Sequence, residues 1–227
     1  MIITIDGPSG SGKTTLALNI AKHLNFFCLN SGYLYRGLAY VLKTFYAYDF
    51  EKMKNPDIND INTIFQSGKF QYHYNYGLIK IYWANEDITS YLKDPEISKY
   101  SALIGQNEYS RNAIHDYERF ILDGKDVVVE GRSCGSFTYS HADIKFFIDA
   151  SIEIRADRLQ IDQKKRGKIL SKEEALKQIQ WRDLMDKERL VEPLVIPAGA
   201  IILDSSFYNI EELFQQALNA IKEIIKK

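Results

Sequence analysis

The chain has 227 residues, a length that suits one α/β domain with insertions better than two domains with separate cores. Its 45% hydrophobic and 26% charged residues are typical of a folded globular protein and exclude a disordered one. The 29 basic and 30 acidic residues leave a formal net charge of −1, so no basic excess favours nucleic acid as a partner.

A strand, a glycine-rich loop and a helix are predicted at the start of the chain. Ile2 to Ile5 are largely β-branched, and Leu16, Ile20 and Leu24 follow a helical period. Between them, Gly7 to Thr14 match the pattern Gly-x-x-x-x-Gly-Lys-Thr, whose flanking strand and helix favour a phosphate-binding loop over a plain glycine-serine turn. The residues predicted to bind ATP here are Gly7, Pro8, Ser9, Gly10, Ser11, Gly12, Lys13, Thr14 and Thr15.

The residue types of this loop explain the prediction. Glycines let consecutive backbone N–H groups surround a phosphate, and the helix that begins near Lys13 directs its positive dipole end at the same anion. Lys13 is predicted to bridge the β- and γ-phosphates as a catalytic cation. The Thr14 hydroxyl is predicted to hold Mg²⁺, with Glu130 ordering the water shell of the ion.

The middle of the chain contains an antiparallel hairpin signal. Residues 69–83 alternate aromatic and polar side chains around Asn75-Tyr76-Gly77. A hairpin of this size is not stable alone, so it is expected to pack on the core or on a helix predicted from Pro95 to Phe120. Its aromatic side chains leave stacking on single-stranded nucleic acid as a minor alternative.

Three further apolar runs, at residues 126–130, 144–149 and 200–204, predict strands separated by helical segments. This alternation predicts a parallel sheet with helices on both faces. Ligands bind such sheets at the carboxyl ends of the strands. The acidic residues expected at that edge are Asp6, Glu130, Asp149 and Asp204.

Nothing in the sequence directs the chain to a membrane or out of the cell. Cys28 and Cys134 lack a metal-binding spacing, and the apolar run at residues 2–5 is too short for a leader or a membrane span. A cytoplasmic location is therefore expected, with no membrane partner. The four histidines are scattered and are predicted to be structural or surface residues.

Taken in order, these motifs and several others resemble the bacterial cytidylate kinase family over nearly the whole chain. Residues 30–36 are similar to the family segment Asp-Ser-Gly-x-x-Tyr-Arg, and residues 130–132 stand where the family has Asp-Gly-Arg-Asp. Other matching segments are residues 85–89, 95–98, 111–119, 155–158, 182–189, 193–194 and 203–205.

The resemblance implies the three-layer α/β/α fold of P-loop NTPases, with a parallel sheet, a hairpin-containing insert and a short lid. The whole chain would be one kinase domain, with a core (1–57, 101–156, 186–227), an acceptor-nucleotide insert (58–100) and a lid (157–185). It would transfer the γ-phosphoryl group of ATP, with Mg²⁺, to CMP or dCMP. Its partners would be these small nucleotides alone, and it would act as a monomer.

The resemblance also implies the site residues. Arg36, Arg132 and Arg189 would bind the acceptor phosphate. Taken singly, Arg36 and Arg189 are equally consistent with solvated surface arginines, whereas Arg132 directly follows a buried-looking strand, which disfavours that alternative. Arg158 would join Lys13, Arg132 and Arg189 as a catalytic cation, and Arg155 would lie against adenine. The remaining acceptor-binding residues implied are Ser31, Tyr35, Ser101, Arg111, Ser133, Arg182 and Asp186.

Five positions depart from the family pattern, among them Glu130, which stands in place of an aspartate. Ser133 stands in place of an aspartate able to accept a hydrogen bond from the cytosine amine, and a hydroxyl also tolerates a carbonyl. Asn30, Leu159 and Met185 replace an aspartate and two arginines. These departures leave two alternatives open: a kinase for UMP or another small acceptor such as shikimate, or a nucleotide-binding regulatory protein that has lost turnover.

Overall fold

A computed structural model describes residues 1–225 and shows eight strands and eight α-helices within them. The strands are β1 (Ile2–Asp6), β2 (Phe27–Asn30), β3 (Phe70–Asn75), β4 (Leu78–Trp83), β5 (Glu86–Asp87), β6 (Val127–Glu130), β7 (Ile144–Asp149) and β8 (Ile201–Asp204). The helices are α1 (Lys13–Leu24), α2 (Ser31–Phe45), α3 (Ile58–Gln66), α4 (Pro95–Ile104), α5 (Glu108–Leu122), α6 (Ile152–Lys164), α7 (Lys172–Lys187) and α8 (Ile210–Ile225).

The central sheet is parallel, with strand order β2-β6-β1-β7-β8. Every residue of β6 is buried, so both faces of the sheet are covered, as a parallel sheet requires. This confirms the predicted three-layer α/β/α class. β1 lies at the centre, so the loop that follows it emerges at the middle of the sheet's carboxyl edge.

A smaller antiparallel sheet, in the order β3-β4-β5, confirms the predicted hairpin. Its turn uses Tyr76 (φ 45°) and Gly77 (φ 87°), the left-handed pair that suits a two-residue hairpin. The hairpin is fastened to β2, because the Tyr72 hydroxyl donates to Cys28 O at 2.9 Å and accepts from Asn30 N at 2.9 Å. It therefore packs on the core, as expected.

The predicted continuous helix from Pro95 to Phe120 is wrong. The chain forms α4 and then α5, separated at residues 105–107. The side chain of Asn107 accepts a hydrogen bond from Ser110 N at 2.9 Å and so starts a new helix. This local N-cap competes with continuation of the first helix, and the break turns α5 in a new direction.

Helices α6 and α7 pack on each other around a small apolar cluster of their own, centred on Ala156, Ala175 and Ile179. The predicted helix at residues 151–167 is observed as α6, and Leu159 is partly buried against this cluster. The turn between the two helices reaches residues 93 and 94. Arg166 Nη1 donates to Lys93 O at 2.8 Å, and Lys168 pairs with Asp94 at 3.2 Å.

A short π-helical turn, Cys134–Thr138, follows β6. The buried carboxylate of Asp6 accepts hydrogen bonds from Cys134 N at 2.9 Å and Gly135 N at 2.6 Å. The turn is thereby held against the end of β1, which fixes the position of Ser133 immediately before it. No helix within residues 1–225 combines the length and the apolar character needed to cross a membrane.

Candidate active site

A cavity of about 810 Å³ lies at the carboxyl edge of the parallel sheet. Nearly all the residues predicted for the site line it. They are Ser9, Gly10, Ser11, Gly12, Lys13, Thr14, Thr15, Ser31, Tyr35, Arg36, Ser101, Arg111, Glu130, Arg132, Ser133, Arg158, Arg182, Asp186 and Arg189. Three predicted residues are not among the lining: Gly7 and Pro8, at the base of the loop, and Arg155.

The glycine-rich loop is shaped by its backbone. A Cβ on Gly7 (φ 146°) would lie 2.0 Å from Ile148 O, so only glycine allows the loop to pass β7 this closely. Gly12 (φ 94°) precedes α1 in a left-handed conformation, and no side chain caps the helix. The N–H groups of the first turn are therefore not occupied by a cap, as an anion-binding helix end requires.

Lys13 lies buried at the bottom of the loop. Its ammonium donates to Pro8 O at 2.7 Å and lies 3.4 Å from Ser11 Oγ. Burial, together with the nearby charge of Arg132, lowers the pKa of Lys13 to about 7. The two hydrogen bonds to neutral oxygens do not offset this burial, so the ammonium lies where an added anion would stabilise it most.

Thr14, Glu130 and Asn30 meet beside the loop. The Thr14 hydroxyl donates to Glu130 Oε1 at 2.6 Å, and the Asn30 amide hydrogen-bonds the same oxygen. Asn30 and Glu130 are register partners at the ends of β2 and β6, so the sheet itself brings them together. A hydroxyl beside a carboxylate offers the hard oxygen ligands that Mg²⁺ prefers, so the residues present fit this ion.

Arg158 connects α6 to the glycine-rich loop. Its guanidinium donates to Gly10 O at 3.1 Å and to Ser205 O at 2.7 Å. Ser205 in turn donates through its hydroxyl to Ser11 O at 2.7 Å. The predicted cation is thus held at the mouth of the phosphate loop by the segment that follows β8, a contribution that the sequence did not predict for Ser205.

Arg155 is held by contacts within the protein. Its guanidinium forms a two-point pair with Asp183, at 3.0 and 2.7 Å, and also donates to Ala150 O and Ser9 O. With these four bonds the group is occupied in joining α6, α7 and the loop. The guanidinium therefore acts as a structural tie, and its predicted contact with adenine stays a prediction.

Three guanidiniums gather around the buried carboxylate of Asp186. Arg132 Nε donates to it at 2.9 Å and Arg182 Nε at 3.1 Å, while Arg189 Nη1 lies 3.9 Å away. We call these three side chains the arginine cluster. Burial alone would raise the pKa of Asp186, but the arginine cluster holds it well below the usual range of an aspartate.

The arginine cluster carries more positive charge than Asp186 neutralises, and Arg36 adds to the excess. Burial, with Arg182 and Arg132 nearby, lowers the pKa of Arg36 to about 10, and that of Arg189 also falls to about 10. Arg189 Nη2 is buried with no hydrogen-bond partner in the part of the chain that the structure describes. A buried donor of this kind at a cationic cavity wall indicates a site for a multivalent anion.

A second group, which we call the Glu192 cluster, comprises Arg111, His115, Ser133 and Glu192. Arg111, His115 and Ser133 line the cavity, and Glu192, which is not among the lining residues, lies against all three. Arg111 Nη2 donates to Ser133 Oγ at 2.8 Å and pairs directly with the Glu192 carboxylate. Ser133 Oγ lies 3.1 Å from Glu192 Oε2, and His115 Nδ1 lies 3.6 Å from Glu192 Oε1. Burial lowers the pKa of His115 to about 4, so its imidazole is neutral at neutral pH.

The sequence did not predict that Glu192 and His115 belong to the site. Glu192 lies in an irregular segment after α7, where no periodicity or spacing draws attention to it. His115, predicted to be structural or on the surface, lines the cavity instead. A signal for it existed, since it lies four residues after Arg111 and therefore on the same face of α5.

Residues after β8 complete the cavity beside the phosphate loop. Tyr208, Asn209, Ile210 and Leu213 line this side. Their position immediately after the carboxyl end of a parallel strand was a signal that the sequence analysis did not use. Tyr35, by contrast, was predicted and lines the cavity, with its ring 5.5 Å from the Arg111 guanidinium.

Comparison with known proteins covers almost the full chain. The family model described as cytidylate kinase matches residues 3–223. A cytidylate kinase of Thermotoga petrophila is 32% identical over 223 residues, which are 97% of this chain and 96% of that protein. The cytidylate kinase of Thermodesulfovibrio yellowstonii is 31% identical with 98% of each chain covered, and that of Chlamydia caviae is 34% identical with 96% of each covered.

Proposed function

Because the chain belongs to the cytidylate kinase family, we propose that it transfers the γ-phosphoryl group of ATP to CMP and dCMP, giving CDP or dCDP and ADP. One observation supports this proposal most. The glycine-rich loop and an overcharged group of arginines face the same cavity, so two phosphorylated ligands can meet there.

The loop end of the cavity is proposed to bind ATP. Backbone N–H groups of residues 9–15 and the start of α1 bind the β-phosphate, and Lys13 bridges to the γ-phosphate. Mg²⁺ would be held by the Thr14 hydroxyl and, through water, by Glu130, and when bound it neutralises charge on the phosphate oxygens. Arg158 stabilises charge on the transferring group from the α6 side.

The arginine end of the cavity is proposed to bind the monophosphate. Arg36, Arg132 and Arg189 supply forked donors that bind a dianionic phosphate two oxygens at a time. Asp186 holds the arginine cluster in place, and with Arg182 it is also proposed to bind the ribose. Ser31, Tyr35, Ser101, Arg111 and Ser133 surround the nucleoside in this assignment.

The chemistry needs position and charge more than it needs a base. The acceptor phosphate is already an anionic nucleophile near neutral pH, so its proton need not be removed by a side chain. The cavity supplies the in-line placement, and the cations spread over Lys13, Arg132, Arg158 and Arg189 stabilise the charge that develops on the transferring oxygens.

We also propose that the chain works as one kinase domain of three parts: a core (1–57, 101–156, 186–227), an insert (58–100) and a lid (157–185). The contacts of Arg166 and Lys168 with residues 93 and 94 join the lid to the insert. Closing these two parts over the core would exclude the water that hydrolyses ATP.

The departures from the family pattern do not by themselves favour a protein without turnover. Asn30 hydrogen-bonds Glu130, Leu159 is partly buried and packs against the apolar cluster of α6 and α7, and Met185 packs at the edge of the main core. Each substituted side chain has a contact of its own. None of the three positions lies in the phosphate loop or in the arginine cluster.

A steady-state comparison of CMP, dCMP, UMP, AMP and GMP as acceptors, with Mg-ATP as donor and ADP release as the readout, tests the proposal. We expect CMP and dCMP to have the highest kcat/KM. Preference for a purine monophosphate would contradict the assignment of the acceptor. Binding of ATP without turnover of any acceptor would instead identify the chain as a regulatory nucleotide-binding protein.

A further inference from the structure

Ser133 alone cannot explain selection of cytosine. A free hydroxyl donates and accepts, so on its own it suits the amine of cytosine and the carbonyl of uracil equally, and the proton of Ser133 is directed to a neighbouring carboxylate, that of Glu192. Selection requires a group that only accepts a hydrogen bond, placed where the 4-substituent of the pyrimidine lies. Of the carboxylates at or near the cavity wall, Asp186 is engaged by the arginine cluster and Glu118 is only 1% exposed. Glu130 is engaged by Thr14 and Asn30, and Asp162 is paired with Arg166.

Glu192 has the chemistry and the position that Ser133 lacks. Its carboxylate touches both Ser133 and Arg111, two residues that line the cavity, and its side chain keeps 16% of its surface exposed. Oε2 accepts from both of these neighbours. Oε1 lies 3.6 Å from His115 Nδ1, beyond hydrogen-bond distance, and accepts no hydrogen bond from the residues that the structure describes.

The pair formed by Glu192 and Arg111 complements one pyrimidine and not the other. Cytosine presents an amine donor followed by the N3 and O2 acceptors, whereas uracil presents a carbonyl followed by an N3–H donor. A carboxylate only accepts and a guanidinium only donates. The two side chains therefore match cytosine in order, while uracil would place its O4 against the carboxylate.

The backbone of Glu192 is held in place for this task. Arg189 Nε donates to Glu192 O at 2.6 Å, which ties the segment to the arginine cluster. Glu192 itself has φ 50°, a left-handed conformation that a glutamate adopts rarely. The position of the Glu192 carboxylate is thus fixed both by its restrained backbone and by its pairing with Arg111.

We propose that Glu192 is the residue that selects cytosine, by accepting a hydrogen bond from the exocyclic amine while Arg111 donates to the O2 and N3 side of the base. This inference rests on the proposed function. It assigns a specificity-determining role to a residue from the segment after α7, which takes over what a carboxylate at position 133 would do.

The experiment compares kcat/KM for CMP and for UMP in the wild type, Glu192→Gln and Glu192→Ala, at saturating Mg-ATP. Glu192→Gln keeps the shape but can donate to the uracil carbonyl, so we expect the CMP/UMP ratio to fall at least about tenfold. In Glu192→Ala, kcat/KM for CMP should fall about tenfold to a hundredfold, while that for UMP changes much less.

Two further variants separate selection from a structural role. Glu188→Gln changes an exposed glutamate on the same segment and should leave the ratio unaltered. Ser133→Asp combined with Glu192→Ala returns a carboxylate to the neighbourhood of Arg111 and should restore preference for CMP. Equal losses for CMP and UMP in both Glu192 variants, with no rescue by Ser133→Asp, would overturn the proposal.

The outcomes also distinguish this inference from the proposed function. If the wild type fails to prefer CMP over the other monophosphates, the proposed function is wrong. If the wild type prefers CMP but Glu192→Gln keeps the same CMP/UMP ratio, only the assignment of Glu192 is wrong. The KM for ATP serves as the check on folding, because Glu192 makes no contact with the glycine-rich loop and that KM should stay within about twofold.

Discussion

The two ends of the cavity are built in different ways. The phosphate-loop end consists of consecutive residues, 7–15, whose backbone wraps the space between β1 and α1. The arginine end is assembled from side chains on α2, α4, α5 and α7 and on the turn after β6. The first is one local segment, whereas the second brings together residues more than 150 positions apart in the chain, from Arg36 to Arg189.

This difference predicts which changes each end tolerates. A site made of backbone N–H groups depends on loop conformation and is sensitive to an added Cβ. A site made of buried charges depends on electrostatic balance, and it is sensitive to the loss of one partner even when shape is preserved. Substitutions at the two ends should therefore cause loss of function for different physical reasons.

Lys13 is the one cation that the phosphate loop itself contributes, and its loss should have the largest effect. We expect Lys13→Ala to reduce kcat/KM by at least about a thousandfold, the scale on which a missing transition-state cation acts. The fold should remain intact, because removing a buried ammonium leaves no unpaired charge behind. Coupled ADP release and a thermal melt measure the two quantities.

Lys22→Ala is the matched control, since Lys22 lies on the same helix but is exposed. It should keep activity within about twofold. Near-normal turnover in Lys13→Ala would contradict the assignment of the loop to ATP, whereas loss of folding would show that Lys13 has a structural role.

Asp186→Asn tests the charge balance of the arginine end. The substitution keeps the shape but leaves three guanidiniums without their buried anion, so we expect a loss of about 3 kcal/mol in the free energy of unfolding. Urea denaturation measures this loss. Asp157→Asn, which breaks the exposed pair of Asp157 with Lys172, should cost less than about 1 kcal/mol.

The pH dependence of the same variant has a definite sign. Because the pKa of Asp186 is lowered in the folded state, its contribution is fully present above the unfolded value of about 4 and is lost as pH falls through the folded pKa. The stability difference between wild type and Asp186→Asn should therefore be constant from pH 8 to about pH 5 and shrink below about pH 4. A difference that grows with acidity would contradict the assignment.

The same contrast explains what could be predicted from sequence. The phosphate loop is contiguous, and its glycines, lysine and flanking elements identify it without further information. The residues of the arginine end carry no local signature and came from resemblance to a family. The break between α4 and α5 was missed because Asn107 was not recognised as an N-cap, and Glu192 was missed because it lies outside any regular element.

Gly7→Ala tests the backbone sensitivity of the loop end. The added Cβ would lie 2.0 Å from Ile148 O, so the loop or β7 must shift. We expect a loss of more than about 2 kcal/mol in the free energy of unfolding, together with weaker ATP binding. Gly124→Ala is the control, because Gly124 also has a positive φ (68°) but nothing within 4 Å, so its cost should be about 1 kcal/mol.

Equal costs in the two glycine variants would show that the left-handed backbone, and not the close approach to β7, limits the loop. In that event Gly7→Ala should also keep its affinity for ATP. A larger cost for Gly7→Ala alone, with lost ATP binding, would tie the shape of the loop to its passage over Ile148.

The smallest expected effect is the uptake of a proton by Lys13 when ATP binds. Because the pKa of Lys13 is about 7 before ATP binds, its side chain is mostly the neutral amine at pH 8 and mostly the charged ammonium at pH 6. The phosphates of ATP favour the charged form, so binding should take up close to one proton at pH 8 and about a tenth of a proton at pH 6. Calorimetric titration in buffers of different ionisation enthalpy measures this uptake, and Lys13→Met should abolish the part that belongs to the lysine. If the heats at pH 8 are the same in every buffer, Lys13 is already charged before ATP binds. The loop end would then stabilise its charge without a ligand, in contrast to the arginine end, which has an excess of positive charge.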